Sequence, residues 1–175
     1  KCDLETSDLV DREIWKSSEE DRKRLSDMVA DYCYKYVLEI LKVSRPVIAR
    51  LAEMYPLVLV SNFYGNIATI LADFDLQYFK HIVESAVVGI RKPDPRIFQL
   101  GVDALRKVIG KSDKELPASN ILVVGDSFSK DIVPANEIGC KTVWIKGVGW
   151  GNEETDDSIP TFIIKNIAEL ENILG

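Results

Sequence analysis

Cysteine and histidine are scarce in this sequence, which has three cysteines and one histidine among its 175 residues. The cysteines are Cys2, Cys33 and Cys140, which lie far apart in the sequence and form no C-x-x-C pair. Together with His81 they do not have the spacing of a usual zinc site, so such a site is excluded. So few cysteines also exclude a disulfide-dense miniprotein. We expect free thiols in a reducing compartment, and therefore a cytoplasmic protein.

Long apolar runs and an excess of basic residues are also absent. No segment approaches the ~20 apolar residues that span a bilayer. The acidic start, KCDLETSDLVDREIW, has no signal-peptide core and no initiating Met, which suggests a processed or truncated chain. Lys and Arg number 22 against 28 Asp and Glu, a net charge of −6, whereas binding to nucleic-acid phosphates favours basic proteins. We therefore expect neither a membrane nor a nucleic acid as a partner.

The composition, 46% apolar and 29% charged residues, is ordinary for a globular domain. The pattern of apolar residues divides the chain into two segments. Residues 1–44 are predicted to be helical, because the apolar residues from Leu25 onward recur at the spacing of a packed helix face. Ser18 and Asp21 form a capping-box-like start. Residues 45–175 instead alternate helices with short apolar strands.

The second segment has the pattern of a parallel α/β fold. The predicted strands are 57–60, 86–88, 121–124, 142–145 and 162–164. The predicted helices are 46–54, which begins at Pro46, and 66–72, 94–108, 131–138 and 167–174. Continuous apolar strands that alternate with helices predict a three-layer, Rossmann-like parallel sheet, whose ligands bind beyond the carboxyl ends of the strands.

Two polar segments near predicted strand ends could receive an anion. Ser61 and Asn62 follow the strand 57–60, and a hydroxyl with backbone N–H groups can bind phosphate oxygens, although an ordinary turn has the same pattern. Lys92 precedes Pro93 in R-K-P-D-P, where the prolines hold the backbone rigid. An ammonium group presented in this way suits an anionic substrate, and a solvated basic turn is the alternative.

The segment G-D-S-F-S-K-D, which begins at Gly125, is the strongest local signal. Its two carboxylates, Asp126 and Asp131, follow the strand 121–124 and are five residues apart. Carboxylate oxygens are ligands that Mg²⁺ prefers, together with waters and a substrate phosphate. The alternative is a strand-to-helix turn that Asp131 caps.

In this order the three segments resemble motifs II, III and IV of the haloacid dehalogenase (HAD) superfamily, most of whose members are Mg²⁺-dependent phosphohydrolases. The resemblance covers residues 45–173 and includes the segments 79–89 and 138–145. Residues 18–43 look like the rear half of the family's helical cap. The resemblance therefore implies a HAD-like α/β core in 45–175 and a partial cap in 1–44.

The resemblance also implies a role for each candidate residue. Ser61 would hydrogen-bond the transferring phosphoryl group, with the Asn62 backbone assisting, and Lys92 would neutralise that group. Asp126 would ligate Mg²⁺, which Asp131 would support directly or through water. The spacing G-D-x-x-x-x-D resembles the phosphatase form of this motif and not the dehalogenase form.

One family motif has no counterpart here. The family's nucleophile and general acid lie in D-x-D-x-T at the end of an apolar first strand, and nothing before Ser61 matches it. Asp73-Phe74-Asp75 follows Ser61 and precedes no Thr, so we reject it. In the family the first strand lies between those that end in motifs II and IV, and losing it would leave two apolar strand edges unpaired. We expect a separate or cleaved N-terminal segment, or another chain, to supply this strand.

The leading hypothesis is a HAD-like hydrolase whose full-length form is a Mg²⁺-dependent phosphatase of a small organic phosphate, acting through an aspartyl-phosphate. The 175-residue chain alone is expected to be inactive. A non-catalytic HAD-like protein that keeps the anion pocket for binding or assembly is the alternative. A third alternative is a plain α/β interaction domain, in which the occurrence of three motifs in the family's order would be a coincidence.

Overall fold

The structure is a computed structural model that describes residues 18–147 and 154–174. The packing divides the chain into two units between Lys42 and Val43. The assignment of the first segment to a partial cap stays a prediction. Cys2 and the acidic N-terminal stretch lie outside the described residues.

Helix α1 (Glu19–Met54) begins as predicted. The Ser18 hydroxyl accepts a hydrogen bond from the Asp21 N–H at 3.1 Å and donates to the Asp21 carboxylate at 2.6 Å. The prediction of a separate helix beginning at Pro46 was wrong, because α1 continues through this residue. Proline has a helical φ and lacks only its N–H, so the helix can continue without the bond to the Lys42 carbonyl.

The apolar stripe of the first unit is exposed to solvent, although its spacing predicted a packed face. The described residues of this unit form one helix, and a single helix cannot bury its own apolar face. The exposed members of the stripe are Leu25, Met28, Val29, Tyr32, Tyr36, Val37 and Ile40. In the part of the chain that the structure describes, no helix has an apolar stretch long enough to cross a membrane.

The described residues of the second unit form five strands in two sheets, and every strand pairing is parallel, which confirms the predicted parallel α/β fold. The strands are β1 (Val58–Ser61), β2 (His81–Glu84), β3 (Leu122–Gly125), β4 (Lys141–Ile145) and β5 (Phe162–Ile164). β1 pairs with β2 in the register Val58↔His81, and β3 pairs with β4, which pairs with β5.

The remaining helices lie between or after these strands. They are α2 (Ile67–Asp73), α3 (Ser85–Val88), α4 (Arg96–Ile109), α5 (Val133–Glu137) and α6 (Leu170–Leu174). The predicted strand 86–88 was wrong: β2 ends at Glu84, and the apolar residues after it form the single turn of α3. Helix α4 begins beside Asp94, whose carboxylate accepts from the Arg96 N–H at 3.0 Å. Hydrogen bonds from the Arg96 side chain hold the pKa of Asp94 below its ordinary value.

Helices cover the strands on two sides, as a three-layer fold requires. On one side, Ile97, Phe98 and Val102 of α4 pack in one hydrophobic cluster with residues of β1, β2 and β3. On the other, the buried residues Val47 and Leu51 of α1 pack with residues of β4, β5 and α6. The two sheets therefore belong to one layer of the second unit.

The edges of β1 and β3 are unpaired within the described residues. β1 bonds to β2 and β3 bonds to β4, but the structure contains no pairing between β1 and β3. Both nevertheless contribute to one hydrophobic cluster, through Val60 and Val123. Val124, in the middle of an apolar strand, is 39% exposed. That another segment or chain supplies a strand between β1 and β3 stays a prediction.

Candidate functional site

The predicted site residues lie at or just beyond the carboxyl ends of the strands, with Lys92 in the loop before α4. Ser61 is the last residue of β1, and Asn62 follows it. Asp126 follows β3, and Asp131 lies five residues further on, in a π-helical turn (Phe128–Ile132). In parallel sheets this edge is where ligands bind.

A buried ion pair forms the centre of the site. The Lys92 ammonium lies 2.6 Å from Asp131 Oδ1, and the two side chains are only 16% and 7% exposed. The Phe98 ring lies 5.9 Å from the ammonium, measured to the ring centroid. An ammonium group has three N–H donors, so Lys92 retains two after donating to Asp131.

Asn62 holds the backbone of Lys92 in place. Its amide Nδ2 donates to the Lys92 carbonyl at 3.0 Å, and its Oδ1 accepts from the Lys92 N–H at 2.8 Å. These two bonds connect the end of β1 to the lysine loop. The Asn62 side chain therefore positions the lysine, a contact that the predicted backbone role did not include.

Asp131 reaches the site because Gly125 has no side chain. A Cβ at Gly125 would lie 2.3 Å from the Asp131 Cβ, closer than any real contact. Asp131 Oδ2 accepts from the Ser127 N–H at 3.0 Å. The predicted start of the helix at Asp131 was late, because the Ser127 hydroxyl caps the π-helical turn by accepting from the Lys130 N–H. π-Helical turns occur often at functional sites.

Asp126 and Ser61 are not joined to this cluster by hydrogen bonds. The Asp126 residue is exposed, and Ser61 is half-buried. Within the described residues, neither the Asp126 carboxylate nor the Ser61 hydroxyl has a hydrogen-bond partner. The Asp126 backbone is held from β4, where Trp144 Nε1 donates to its carbonyl at 3.1 Å. The structure thus brings Asn62, Lys92 and Asp131 into contact and leaves the other two polar groups available.

The carboxylates match the donor chemistry of a magnesium site in part. The described residues contain no group of three or more histidine, cysteine or acidic side chains that could hold a metal. Asp126 offers an unengaged carboxylate, whereas both oxygens of Asp131 already accept hydrogen bonds. Mg²⁺ is commonly bound through one or two carboxylates, with waters and a substrate phosphate. The donor set fits such a site, with Asp126 as the available ligand.

Three residues that support the site were missed by the sequence analysis. The Glu84 carboxylate, 6% exposed, accepts from the Gly65 N–H at 2.6 Å. The Ser85 hydroxyl both accepts from the Phe63 N–H and donates to the Phe63 carbonyl. Trp144, 6% exposed, holds Asp126. The one sequence signal available was a charged residue, Glu84, directly after the apolar pair Ile82 and Val83.

The cysteines described by the structure carry no sign of a role in this site. Cys33 and Cys140 are free thiols, exposed and buried respectively. Burial raises the pKa of Cys140 to about 11, so its thiol stays protonated and unreactive at neutral pH. The expectation of free thiols is confirmed for these two residues.

Comparison with known proteins places this geometry in a family. The profile of the haloacid dehalogenase-like hydrolases matches residues 7–139. A glyceraldehyde 3-phosphate phosphatase of Pyrococcus abyssi is 35% identical over 69 residues, which cover 39% of this chain and 25% of the relative. Across the curated relatives that match, the aligned part spans 25% to 39% of the relative's length.

Solved structures share the fold, and two of them illustrate the likeness. A HAD phosphatase from Thermococcus onnurineus superimposes with a TM-score of 0.58 at 26% identity, covering 74% of this chain and 55% of that one. A HAD hydrolase of Bacillus subtilis, solved with bound magnesium, superimposes with a TM-score of 0.64 at 20% identity, covering 100% and 84%. At that lower identity the second likeness concerns the fold alone.

Proposed function

This chain belongs to the haloacid dehalogenase-like hydrolases, and on that premise we propose that it forms part of a Mg²⁺-dependent phosphatase acting on a small organic phosphate. The observation that carries the proposal is the buried Lys92–Asp131 pair at the carboxyl end of the sheet. Beside it lie a serine hydroxyl and an aspartate carboxylate, neither bonded within the described residues.

Lys92 supplies the positive charge in this proposal. A phosphoryl group in transfer carries negative charge on its oxygens, and fixed donors that stabilise this charge are often the largest contribution to catalysis. Asp131 holds the ammonium through one N–H, so the remaining two can bind phosphoryl oxygens. Ser61 adds a hydroxyl donor, and Asn62 keeps the Lys92 backbone in register.

Asp126 is the residue that would hold the metal, with support from Asp131 directly or through water. When bound, Mg²⁺ supplies charge neutralisation at the phosphoryl oxygens. The Asp126 carboxylate is exposed and its backbone is fixed by Trp144, so the residue is oriented while its oxygens stay available. Mg²⁺ is commonly held by one or two carboxylates together with waters and a substrate phosphate, which supports this choice of cation.

The nucleophile would come from a strand that the chain does not supply. We propose that an upstream or separate segment ending in D-x-D-x-T pairs between β1 and β3, whose facing edges are unpaired within the described residues. Its first aspartate would attack the phosphorus and release the alcohol. Water would then cleave the resulting aspartyl-phosphate to give inorganic phosphate.

The test is a phosphatase assay of two proteins, this chain and a form that carries the upstream strand, each with para-nitrophenyl phosphate and Mg²⁺. We expect turnover only in the longer form, and we expect chelation to abolish it. Asp126→Ala in the longer form should lower kcat by at least about a hundredfold, because the cation loses its available ligand. Asp113→Ala, an exposed aspartate outside the site, is the matched control and should retain full activity.

Two other outcomes would change the assignment. Turnover by the short chain that survives both chelation and Asp126→Ala would contradict the mechanism. Phosphate binding by the longer form without turnover would instead favour a non-catalytic protein that keeps the anion pocket for binding or assembly.

A further inference from the structure

An exposed aromatic ring lies on a fixed loop beside the site. Five hydrogen bonds attach the loop after β1 to the lysine loop and to the residues at the end of β2. Tyr64 lies in this loop, and yet its side chain is 90% exposed. Its hydroxyl has no hydrogen-bond partner within the described residues, and its ring meets Phe63 at 5.6 Å between centroids. A ligand that stacks on Tyr64 would not have to order this loop first.

The ring borders a groove that shares one residue, Asn62, with the proposed phosphate site. The groove has a volume of about 400 Å³ and is lined by Asn62, Phe63, Tyr64 and Arg91, among others. Asn62 lines the groove, and its side chain holds the backbone of Lys92. The groove is therefore next to the loop that carries the lysine.

Arg91 supplies a cation to the same groove. Within the described residues its guanidinium forms no ion pair and no hydrogen bond, and the residue is exposed. It directly precedes Lys92, whose ammonium is already engaged with Asp131. A guanidinium that has no protein partner can stack on an aromatic face or donate to acceptor oxygens of a ligand.

We propose that Tyr64 and Arg91 form a subsite on the α/β unit that binds the leaving group of the phosphate monoester and selects a planar aromatic or heteroaromatic ring. The inference rests on the proposed function, since it takes the phosphoryl group to bind at Ser61 and Lys92. A flat ring can stack on Tyr64 and present acceptor atoms to Arg91. A small aliphatic group offers neither contact.

Binding is tested with non-hydrolysable probes on the 175-residue chain. Phenylphosphonate and methylphosphonate are titrated to tens of millimolar and followed by NMR chemical shifts, which report weak binding. We expect phenylphosphonate to bind roughly tenfold more tightly, the order of effect known for one stacked ring. Tyr64→Ala should remove this preference, and Tyr64→Phe should retain it because the ring is kept. Tyr32→Ala, at an exposed tyrosine of α1 that does not line the groove, is the matched control.

A second probe tests Arg91. 4-Carboxyphenylphosphonate places a carboxylate on the ring, and we expect it to bind more tightly than phenylphosphonate. Arg91→Gln should remove that advantage while leaving the ring preference of Tyr64 intact. Equal dissociation constants for phenyl- and methylphosphonate, binding of neither, or a preference that survives Tyr64→Ala would overturn the subsite.

A kinetic measurement separates this inference from the proposed function. In the form that carries the upstream strand, kcat/KM is compared for phenyl phosphate and glycerol 3-phosphate. Hydrolysis of both esters without ring preference would leave the phosphatase standing and overturn the subsite. Ring-selective phosphonate binding without hydrolysis of either ester would support the subsite and contradict the phosphatase.

Discussion

Lys92 and Asp131 show how burial changes the contribution of an ion pair to the stability of the fold. Their charged atoms are 2.6 Å apart, and the side chains are 16% and 7% exposed. Lys42 and Glu39 on α1 are separated by the same 2.6 Å, but each side chain is 68% exposed. Exposed pairs contribute little because water screens them, whereas a buried partner left alone has an uncompensated charge.

The two pairs give a matched experiment. Lys92→Met and Asp131→Asn are each expected to lower the unfolding free energy by roughly 3 kcal/mol, while the double variant should lose less than their sum. Urea unfolding of the double-mutant cycle should show a coupling of at least about 1.5 kcal/mol. The same cycle at Lys42 and Glu39 should couple by less than about 0.5 kcal/mol. Equal coupling in the two cycles would contradict a buried pair.

Glycine is required at position 125 because the Asp131 side chain packs against its backbone. Gly125 is the last residue of β3 and has no positive φ, so glycine is not needed there for its conformation. A Cβ would instead collide with Asp131, at 2.3 Å from its Cβ and 2.6 Å from its Cγ. The carboxylate could keep its bond to Lys92 only if the backbone moved.

We expect Gly125→Ala to lower the unfolding free energy by about 1–3 kcal/mol, the usual cost of overpacking. The matched control is Gly147→Ala, because a Cβ at that exposed glycine meets nothing within 4 Å. It should change the stability by less than about 0.5 kcal/mol in the same urea titration. A Gly125→Ala variant as stable as the Gly147→Ala variant would show that the close approach is not present in solution.

At the scale of elements, the end of β2 fixes the loop that follows β1. Glu84 is a buried carboxylate whose Oε1 accepts from the Gly65 N–H at 2.6 Å and from the Ile67 N–H at 3.4 Å. Ile67 is the first residue of α2, so one side chain satisfies both the loop and a helix start. A buried N–H without an acceptor costs about 1–3 kcal/mol, which makes this contact important for the loop.

Removing the carboxylate is expected to release the loop. Glu84→Ala should speed amide hydrogen exchange at Gly65 and Ile67 and lower the unfolding free energy by roughly 2 kcal/mol. Glu115→Ala is the matched control, since its carboxylate also accepts from a backbone N–H, that of Ser112, but at an exposed position. It should leave exchange in the β1 loop unchanged. Unaltered protection at Gly65 in Glu84→Ala would mean that other contacts hold the loop.

The strands before the site were predictable from sequence, and the contacts that complete it were not. The predicted runs 57–60 and 121–124 match β1 and β3 to within one residue, because each is a continuous apolar run followed by polar residues. β2 was misplaced because it begins with His81 and ends with Glu84, whose burial depends on backbone hydrogen bonds that hydropathy does not show. The contact between Lys92 and Asp131 joins residues 39 positions apart and depends on the π-helical turn.

At the scale of the whole molecule, the two sheets form one layer, but no strand pairing joins them within the described residues. β1 and β3 share a hydrophobic cluster with α4, but they do not pair with each other within the described residues. Unpaired edges of apolar strands are costly and readily accept another strand. The carboxyl ends of both strands lie at the same site, since Asn62 bonds Lys92 and Lys92 bonds Asp131. We therefore propose that one strand parallel to both completes the sheet and ends beside the lysine.

Hydrogen exchange tests this completion directly. In a form that carries the upstream strand, the amides of β1 and β3 that point away from β2 and β4 should gain protection, because they would find carbonyl acceptors on the new strand. The amides of β4, which already lies between β3 and β5, are the internal control and should change little. Calorimetry on the same two proteins should show weak or absent Mg²⁺ binding by this chain and tighter binding by the longer form, because the new strand adds carboxylates to Asp126. Micromolar Mg²⁺ binding by the 175-residue chain, or unchanged exchange at the edges of β1 and β3, would mean that the site does not depend on an added strand.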